Sequence, residues 1–253
     1  PLWSRGLGDV YKRQGLFRTL FKAVKAAASG QGLDRVFITG VSPVAMSDMT
    51  SGYNVAENIY LNREFNALCG FTETEITRVL QDIHRDTDAW SVDAALEVMR
   101  TFYNGYRFNE EVEDGIYNPT LSLYFLKQLQ KNGKYPVDML DDNLAMDRRR
   151  LIYVAGLLEG EALLIQALSE ERGLIIPRLS RRFGVDEMLR EDKDRNTIIS
   201  LLYYFGILTL AGTVGLNKLA IKIPNLVSRS LYVEQLQNIY LPSSADQLAV
   251  ESI

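Results

Sequence analysis

Apolar residues recur at helical spacing through most of this chain, and gather into short strand-like runs in only three places. Leu16, Phe17, Leu20, Phe21, Val24 and Ala27–Ala28, with Arg18, Lys22 and Lys25 between them, predict an amphipathic helix over Gly15–Ala28. Ser29-Gly30-Gln31-Gly32 ends it. Val36–Thr39 follows, apolar in series and β-branched at Val36 and Ile38. That pattern predicts a central strand buried on both faces, with the preceding helix packed on one of them. Val44–Asn62 is polar, small and glycine-containing, and reads as an irregular segment beneath the sheet edge.

Helical signals then dominate for more than a hundred residues. Thr72-Glu73-Thr74-Glu75 has the spacing of a capping box, so a helix starts there and runs towards Ile83. Ser91 caps a second, with Val92, Ala95, Leu96, Val98 and Met99 on one side. Tyr103–Phe108 is a turn with aromatic anchors. Asn118 and Pro119 are the cap and first position of a third helix, Thr120–Gln130, broken at Gly133–Pro136. Asp147–Glu159 and Glu161–Ser169 read as two more helices, and Asn196–Phe205 as another ending at Gly206. Ile207–Leu210 and Leu219–Ile223 are strand-like, joined across Ala211–Lys218 with turn glycines at 212 and 215. Asn225 caps a last helix over Leu226–Ile239. Helix, hairpin, helix is a winged-helix-like order. Leu241–Ile253 is a polar, weakly patterned tail.

The run Arg35–Pro43 carries the first chemical hint. A buried parallel strand delivers its last polar side chain to the carboxyl edge of the sheet, where open α/β sheets bind ligands. Yet the chain contains no G-x-x-x-x-G-K-[ST] loop to wrap a triphosphate. The stretch therefore reads as the latter part of an ATPase cut before its phosphate loop. Ser4–Gln14 resembles the in-frame translation of a transposon-type sequencing adapter, so Pro1–Gln14 is set apart from fold reasoning as non-native.

Composition narrows the picture only a little. The chain has 253 residues, 47% of them hydrophobic and 24% charged, which suits one large or two small globular domains. A net charge of −4 gives no global signature of nucleic-acid binding. The single cysteine, Cys69, excludes an intrachain disulfide and reads as a core residue. No apolar run approaches the roughly 18–20 residues that span a bilayer, and the default expectation is a cytoplasmic protein. His84 is the only histidine, which disfavours a histidine metal cluster or a Ser-His-Asp triad. Asp141-Asp142 and Asp147 mark a helix start rather than a metal site. Glu191-Asp192-Lys193 has the letters of a nuclease E-x-K, but sits in a solvated charge run without strand character. Arg178, Arg181 and Arg182, with Arg148–Arg150, are the best basic patches; acids surround them and a solvated face is the simpler reading.

A family resemblance emerges from linked short motifs. Phe37–Pro43 is followed by Ser51-Gly52-Tyr53-Asn54-Val55, Phe65-Asn66, Cys69-Gly70-Phe71-Thr72-Glu73, Tyr103–Phe108 and Tyr117-Asn118-Pro119. Then come Leu201–Thr209 and Ile223-Pro224-Asn225. From about Gly15 to Tyr240 this order and spacing resembles the AAA-ATPase-like family of bacterial P-loop proteins. Members typically pair that ATPase with a C-terminal PD-(D/E)XK nuclease-like domain. The resemblance implies the C-terminal part of an α/β P-loop ATPase, mostly helical with a sheet remnant. The divisions are an ATPase-core remnant over 15–65, a helical lid over 66–170, a winged-helix-like connector over 171–240 and a tail over 241–253. It implies ATP and Mg²⁺ as ligands of the parent, and DNA as a partner through the nuclease-like domain. Phosphate loop, acidic strand and nuclease domain would all lie outside this chain, which by itself would be inactive.

The resemblance also nominates residues. Thr39, at the strand end, can hydrogen-bond the γ-phosphate or its attacking water; the alternative is a threonine satisfying local backbone. Ser42 is the neighbouring alternative, pinned by Pro43. Arg107 in the aromatic turn can reach a phosphate from the lid, or else stack on Tyr103 or Tyr106 and hold the turn together. Asn54 and Asn58 either contact nucleotide or cap a short helix. The rival to the ATPase reading is a non-catalytic module that binds DNA or a partner protein, its nucleotide site vestigial.

Overall fold

The computed structural model describes residues 19–20, 22–29, 32–39, 57–85, 89–140, 145–180 and 193–241, with the side chains of 145–147 excepted. It divides into two compact bodies, Pro1–Asn58 with Ser180–Glu191, and Ile59–Leu179 with Asp192–Ile253. In the first, residues 22–28 are helical and end where the Ser29 N–H and Oγ both bond to the Lys25 carbonyl, at 3.1 and 2.9 Å. Residues 35–39 then run without strand pairing, and Phe37 is 67% exposed. The buried central strand expected at Val36–Thr39 is thus not formed among the described residues. The physical reason is plain: a strand exists through its ladder partners, and no described segment offers one here.

The second body is built on two hydrophobic cores. Three helices form most of the first: α1 (Glu73–His84), α2 (Val92–Tyr103) and α3 (Pro119–Asn132). Each starts at the residue its sequence marks. The Glu75 N–H bonds to Thr72 Oγ1 at 3.3 Å while the Thr72 N–H returns to Glu75 Oε2 at 2.8 Å, a complete capping box. Ser91 Oγ accepts from the Ala94 N–H and Asn118 Oδ1 from the Leu121 N–H, each at 3.2 Å. Gly133, at φ +63°, closes α3 with its N–H on the Leu129 carbonyl at 2.9 Å. Ile76, Leu80, Leu96, Met99, Tyr103, Phe125 and Leu129 bury their apolar faces together.

The second core lies beneath a small sheet. Helices α4 (Ala145–Ala155) and α5 (Gly160–Ser169) meet at 118°. They are followed by β1 (Leu174–Ile176), α6 (Arg195–Tyr204), β2 (Thr209–Val214), β3 (Lys218–Lys222) and α7 (Leu226–Tyr240). The strand order is β1-β3-β2, antiparallel throughout. The hairpin expected around Ala211–Lys218 is present but longer than its apolar runs suggested. Its ladder extends to Val214 past a bulge between Leu210 and Gly212. Strand β1 was not expected, because three residues are too few to show a period. Asn225 Oδ1 accepts from the Ser228 N–H at 3.0 Å and caps α7. Leu163, Leu164, Ile198, Leu202, Leu210, Ile221, Leu231 and Tyr232 make this core. Helix α7 belongs to both cores, giving Val227 to the first and Leu231 to the second. The sequence ranges 66–170 and 171–240 fall, apart from Ser180–Glu191, within this one body. Cys69, expected in the core, is exposed in the turn before α1.

Candidate functional site

The turn Asn104–Asn109 leaves α2 with apolar anchors but spends its backbone on polar partners from four separate segments. Gly105, at φ +104°, lies so close to Pro224 that a Cβ would stand 2.3 Å from that residue's carbonyl oxygen. Only glycine fits there. Beside it, Asn225 Nδ2 donates to the Asn104 carbonyl at 3.0 Å. Tyr106 pairs with Ile116 through two backbone hydrogen bonds of 3.2 and 2.9 Å. The Phe108 and Asn109 N–H groups both reach Asn66 Oδ1, at 2.8 and 3.2 Å. Asn109 Nδ2 in turn donates to the Leu61 carbonyl at 2.8 Å.

Arg107 sits at the middle of this seam. Its N–H donates to Thr209 Oγ1 at 2.7 Å, and that same hydroxyl donates to the Arg107 carbonyl at 3.2 Å. One threonine thus satisfies both main-chain groups of one residue, within the donor and acceptor capacity of a single hydroxyl. The Arg107 side chain is half-buried, and its guanidinium makes no hydrogen bond or ion pair among the described residues. It is not stacked on Tyr103 or Tyr106 there either: among the described residues the cations over rings are Arg150 on Phe205 and Lys193 on Tyr153.

Asn66, Asn109, Thr209, Asn225 and Ser228 are all buried polar residues, and every one belongs to this seam or its edge. Burying such groups unpaired costs about 1–3 kcal/mol each, so their mutual satisfaction is what lets the turn sit on the hairpin. Of these residues only Asn225 has a role legible in the sequence, as a cap. The available signal was an isolated polar residue directly after an apolar one: Phe65-Asn66, Phe108-Asn109 and Leu208-Thr209.

A second polar cluster lies at the rim of the first core. Arg100 grips Glu73 bidentately, Nε to Oε2 at 2.7 Å and Nη2 to Oε1 at 2.6 Å, and Tyr117 Oη donates to Glu73 Oε2 at 3.2 Å. The Arg100 hydrogen bond is the main reason the Glu73 carboxyl is held below its ordinary range. Burial, then Glu73, pushes the Tyr117 phenol up. This is a latch between α1, α2 and the start of α3, without a nucleophile.

The other nominated residues are scattered. Thr39 is exposed in the first body, as is Asn58. Ser42 and Asn54 lie outside the described residues. Of the basic patch at 148–150, Arg148 pairs with Glu234 at 2.9 Å, while Arg150 donates to the Phe205 carbonyl at 2.9 Å and covers its ring. Two of the three arginines therefore tie α4 to its neighbours instead of forming a solvated face. Among the described residues no group of three or more His, Cys, Asp or Glu is placed to hold a metal ion. Nor is any single helix there long and apolar enough to cross a membrane.

No family model and no solved structure matches the chain. It is similar to a protein of Azotobacter chroococcum mcd 1 described as an uncharacterized protein in the vnfD 5′ region, 26% identical over 242 residues. That alignment covers 92% of this chain and 39% of the relative, so the chain spans about two fifths of the length of the protein it matches.

Proposed function

We propose that this chain is the C-terminal portion of a P-loop ATPase of the AAA-ATPase-like family, whose parent couples ATP hydrolysis to a nuclease-like domain. One observation carries the reading. The motifs on which the resemblance rests, at 65–66, 103–108, 208–209 and 223–225, are far apart in the chain yet close on one another through the Asn66, Thr209 and Asn225 side chains. Motifs with a shared structural purpose support a common ancestry better than motifs that merely recur in order. The greater length of the Azotobacter relative leaves room for the phosphate loop and nuclease-like domain that the reading requires.

In this reading ATP and Mg²⁺ are held by the parent's phosphate loop and acidic strand, Thr39 orients the attacking water, and Arg107 meets phosphate charge from the lid. Ser42 and Asn54 are further nucleotide contacts. The test is steady-state ATP hydrolysis by the natural full-length protein and by this chain alone. Hydrolysis by the first and none by the second is expected. Thr39→Ala should lower turnover by about 10- to 100-fold with little change in nucleotide affinity, as for one charge-assisted hydrogen bond of roughly 1.5–3 kcal/mol. Turnover unchanged within about twofold would leave Thr39 a surface threonine.

The second reading is a DNA- or protein-binding module, favoured by the β1-β3-β2 sheet with α6 before its hairpin. Six residues of α6, Ile198–Tyr203, are buried. A helix so enclosed has few side chains left to reach base edges in a groove. Any DNA contact would fall to the hairpin, where Lys218 and Lys222 are exposed. Duplex binding that disappears in Lys218→Ala/Lys222→Ala would favour this reading over the ATPase.

A further inference from the structure

We infer that Thr209 is the positioning residue for Arg107, and that through it the β2–β3 hairpin sets where the arginine points. The inference rests on the reading of Arg107 as a phosphate-facing residue. Thr209 is 1% exposed and opens β2, where the ladder pairs it with Lys222 of β3. Its hydroxyl holds the Arg107 N–H at 2.7 Å and the Arg107 carbonyl at 3.2 Å. The residues on either side are fixed independently, Tyr106 by its bridge to Ile116 and Phe108 by Asn66. Arg107 is therefore held at its backbone, with only its side-chain rotors left to order.

That arrangement has a mechanical consequence. An arginine on a mobile loop must order backbone and side chain together when it meets an anion. One whose backbone is already clamped loses only side-chain freedom, which is the general advantage of preorganisation. The clamp is a side chain of the hairpin rather than of the turn itself, so losing its hydroxyl frees the Arg107 main chain while Tyr106 and Phe108 stay held. The hydroxyl, not the bulk of Thr209, does this. Valine has the same shape but can neither accept from nor donate to residue 107, whereas serine keeps both bonds.

The experiment is a double-mutant cycle on the natural full-length protein, read as kcat and KM for ATP. Arg107→Ala should lower kcat by about 100-fold, as for removal of a group that meets developing charge. Thr209→Val should lower kcat by about 10-fold with KM changed less than about twofold, and Thr209→Ser should stay within about twofold of wild type. In the Arg107→Ala background, Thr209→Val should have no further effect on kcat. A merely structural threonine would instead impose its full penalty in both backgrounds, and that result would overturn the inference. So would an active Thr209→Val enzyme or a failure of Thr209→Ser to rescue. If Thr209→Val gives no cooperative melt, Thr209→Ala replaces it in the same cycle. Wild-type protein that does not turn over ATP sinks the ATPase reading and Thr209's role with it. Active wild type with an unmoved Thr209→Val sinks only the latter.

Discussion

In the core built by α1, α2 and α3, the buried tyrosine hydroxyls have protein partners: Tyr103 donates to the Met139 carbonyl at 3.0 Å and Tyr117 to Glu73 at 3.2 Å. In the core beneath the sheet, Tyr203 and Tyr232 are buried as deeply, and neither hydroxyl finds a partner among the described residues. Burial pushes both phenols up. The first core is assembled from consecutive helices, and the contrast is confined to tyrosines, since Trp90 Nε1 and Ser122 Oγ on that core are also without a partner among the described residues. The second gathers α4 to α7 and three strands around long-range contacts, and its polar groups are satisfied mainly where the 104–109 turn crosses it. The two cores differ in how they treat their buried tyrosine hydroxyls, while both lean on α7 and Leu140.

The sharpest way to break that contrast is to ask whether the cores unfold together. They share α7, with Val227 in one and Leu231 and Tyr232 in the other, and Leu140 packs on both. Phe125→Ala in the first core should cost about 3–5 kcal/mol and Leu210→Ala in the second about 2–5 kcal/mol, as for large truncations at fully buried sites. Trp90 packs against the first core, so in a Trp3→Phe background its fluorescence follows that core alone. Both substitutions should shift the Trp90 transition and the far-ultraviolet transition by the same amount. If Leu210→Ala leaves the Trp90 transition in place, the cores are separate folding units and the seam is only a contact.

Next in size is the seam itself. Gly105→Ala places a methyl 2.3 Å from the Pro224 carbonyl in a backbone conformation that alanine avoids, and backbone atoms on both sides leave nothing flexible to move. The expected loss is about 3 kcal/mol or more, read from denaturant unfolding. Gly133→Ala is the control. It too has a positive φ, but nothing stands within 4 Å of its added carbon, so only the conformational cost of roughly 1 kcal/mol remains. Equal losses at the two glycines would show that the approach of Gly105 to Pro224 is not tight in solution.

These positions also show how far the sequence could be read. The starts of α1, α2, α3 and α7 were legible because Thr72, Ser91, Asn118 and Asn225 act on residues three positions away, and local chemistry leaves local letters. The hairpin was legible from Gly212 and Gly215, but its length was not, since a bulge shifts the alternation that defines a strand. Strand β1 was invisible because its three residues gain strand character only by pairing with β3. Val36–Thr39 failed for the converse reason: its letters favour a strand, and no described neighbour completes one. Arg107 was nominated from its aromatic turn, yet the residue that holds it lies 102 positions away, and no periodicity encodes such a partnership. Cys69 was misjudged because a small apolar thiol is usually buried, while the turn ahead of α1 leaves it in the open.

The tyrosines give a smaller but more direct test of the contrast between cores. Tyr103→Phe should destabilise by about 1 kcal/mol, because it removes a hydrogen bond from a buried hydroxyl to the half-buried Met139 carbonyl. Tyr232→Phe should be neutral or stabilising by up to about 1 kcal/mol, because it removes a buried hydroxyl that has no partner among the described residues. Opposite signs in paired thermal melts would uphold the distinction. A loss at Tyr232 as large as that at Tyr103 would mean that its hydroxyl is bonded after all, and the two cores would then be alike in this respect.

The smallest effect expected is at the Glu73 latch, and its sign depends on pH. The carboxyl's folded-state pKa lies below its ordinary value of 4.5, chiefly through the Arg100 hydrogen bond. A depressed carboxylate pKa contributes stability that is present above the unfolded value and is lost as pH falls through the folded one. Glu73 and Arg100 are both more than two fifths exposed, so solvent screening keeps the contribution below about 1 kcal/mol despite the bidentate geometry. Glu73→Gln should therefore be slightly less stable than wild type at pH 7, with the gap closing as the pH is lowered past 4.5 and the wild-type carboxyl takes up its proton. Glu75 is also held low, by the Thr72 backbone N–H, but it is present in both proteins and cancels from the difference. High salt should narrow the gap at pH 7 without moving the pH at which it closes by much. A gap that stays constant from pH 7 down to pH 3 would show that Glu73 acts through packing or neutral hydrogen bonding, and that its charge does not hold α1 to α2.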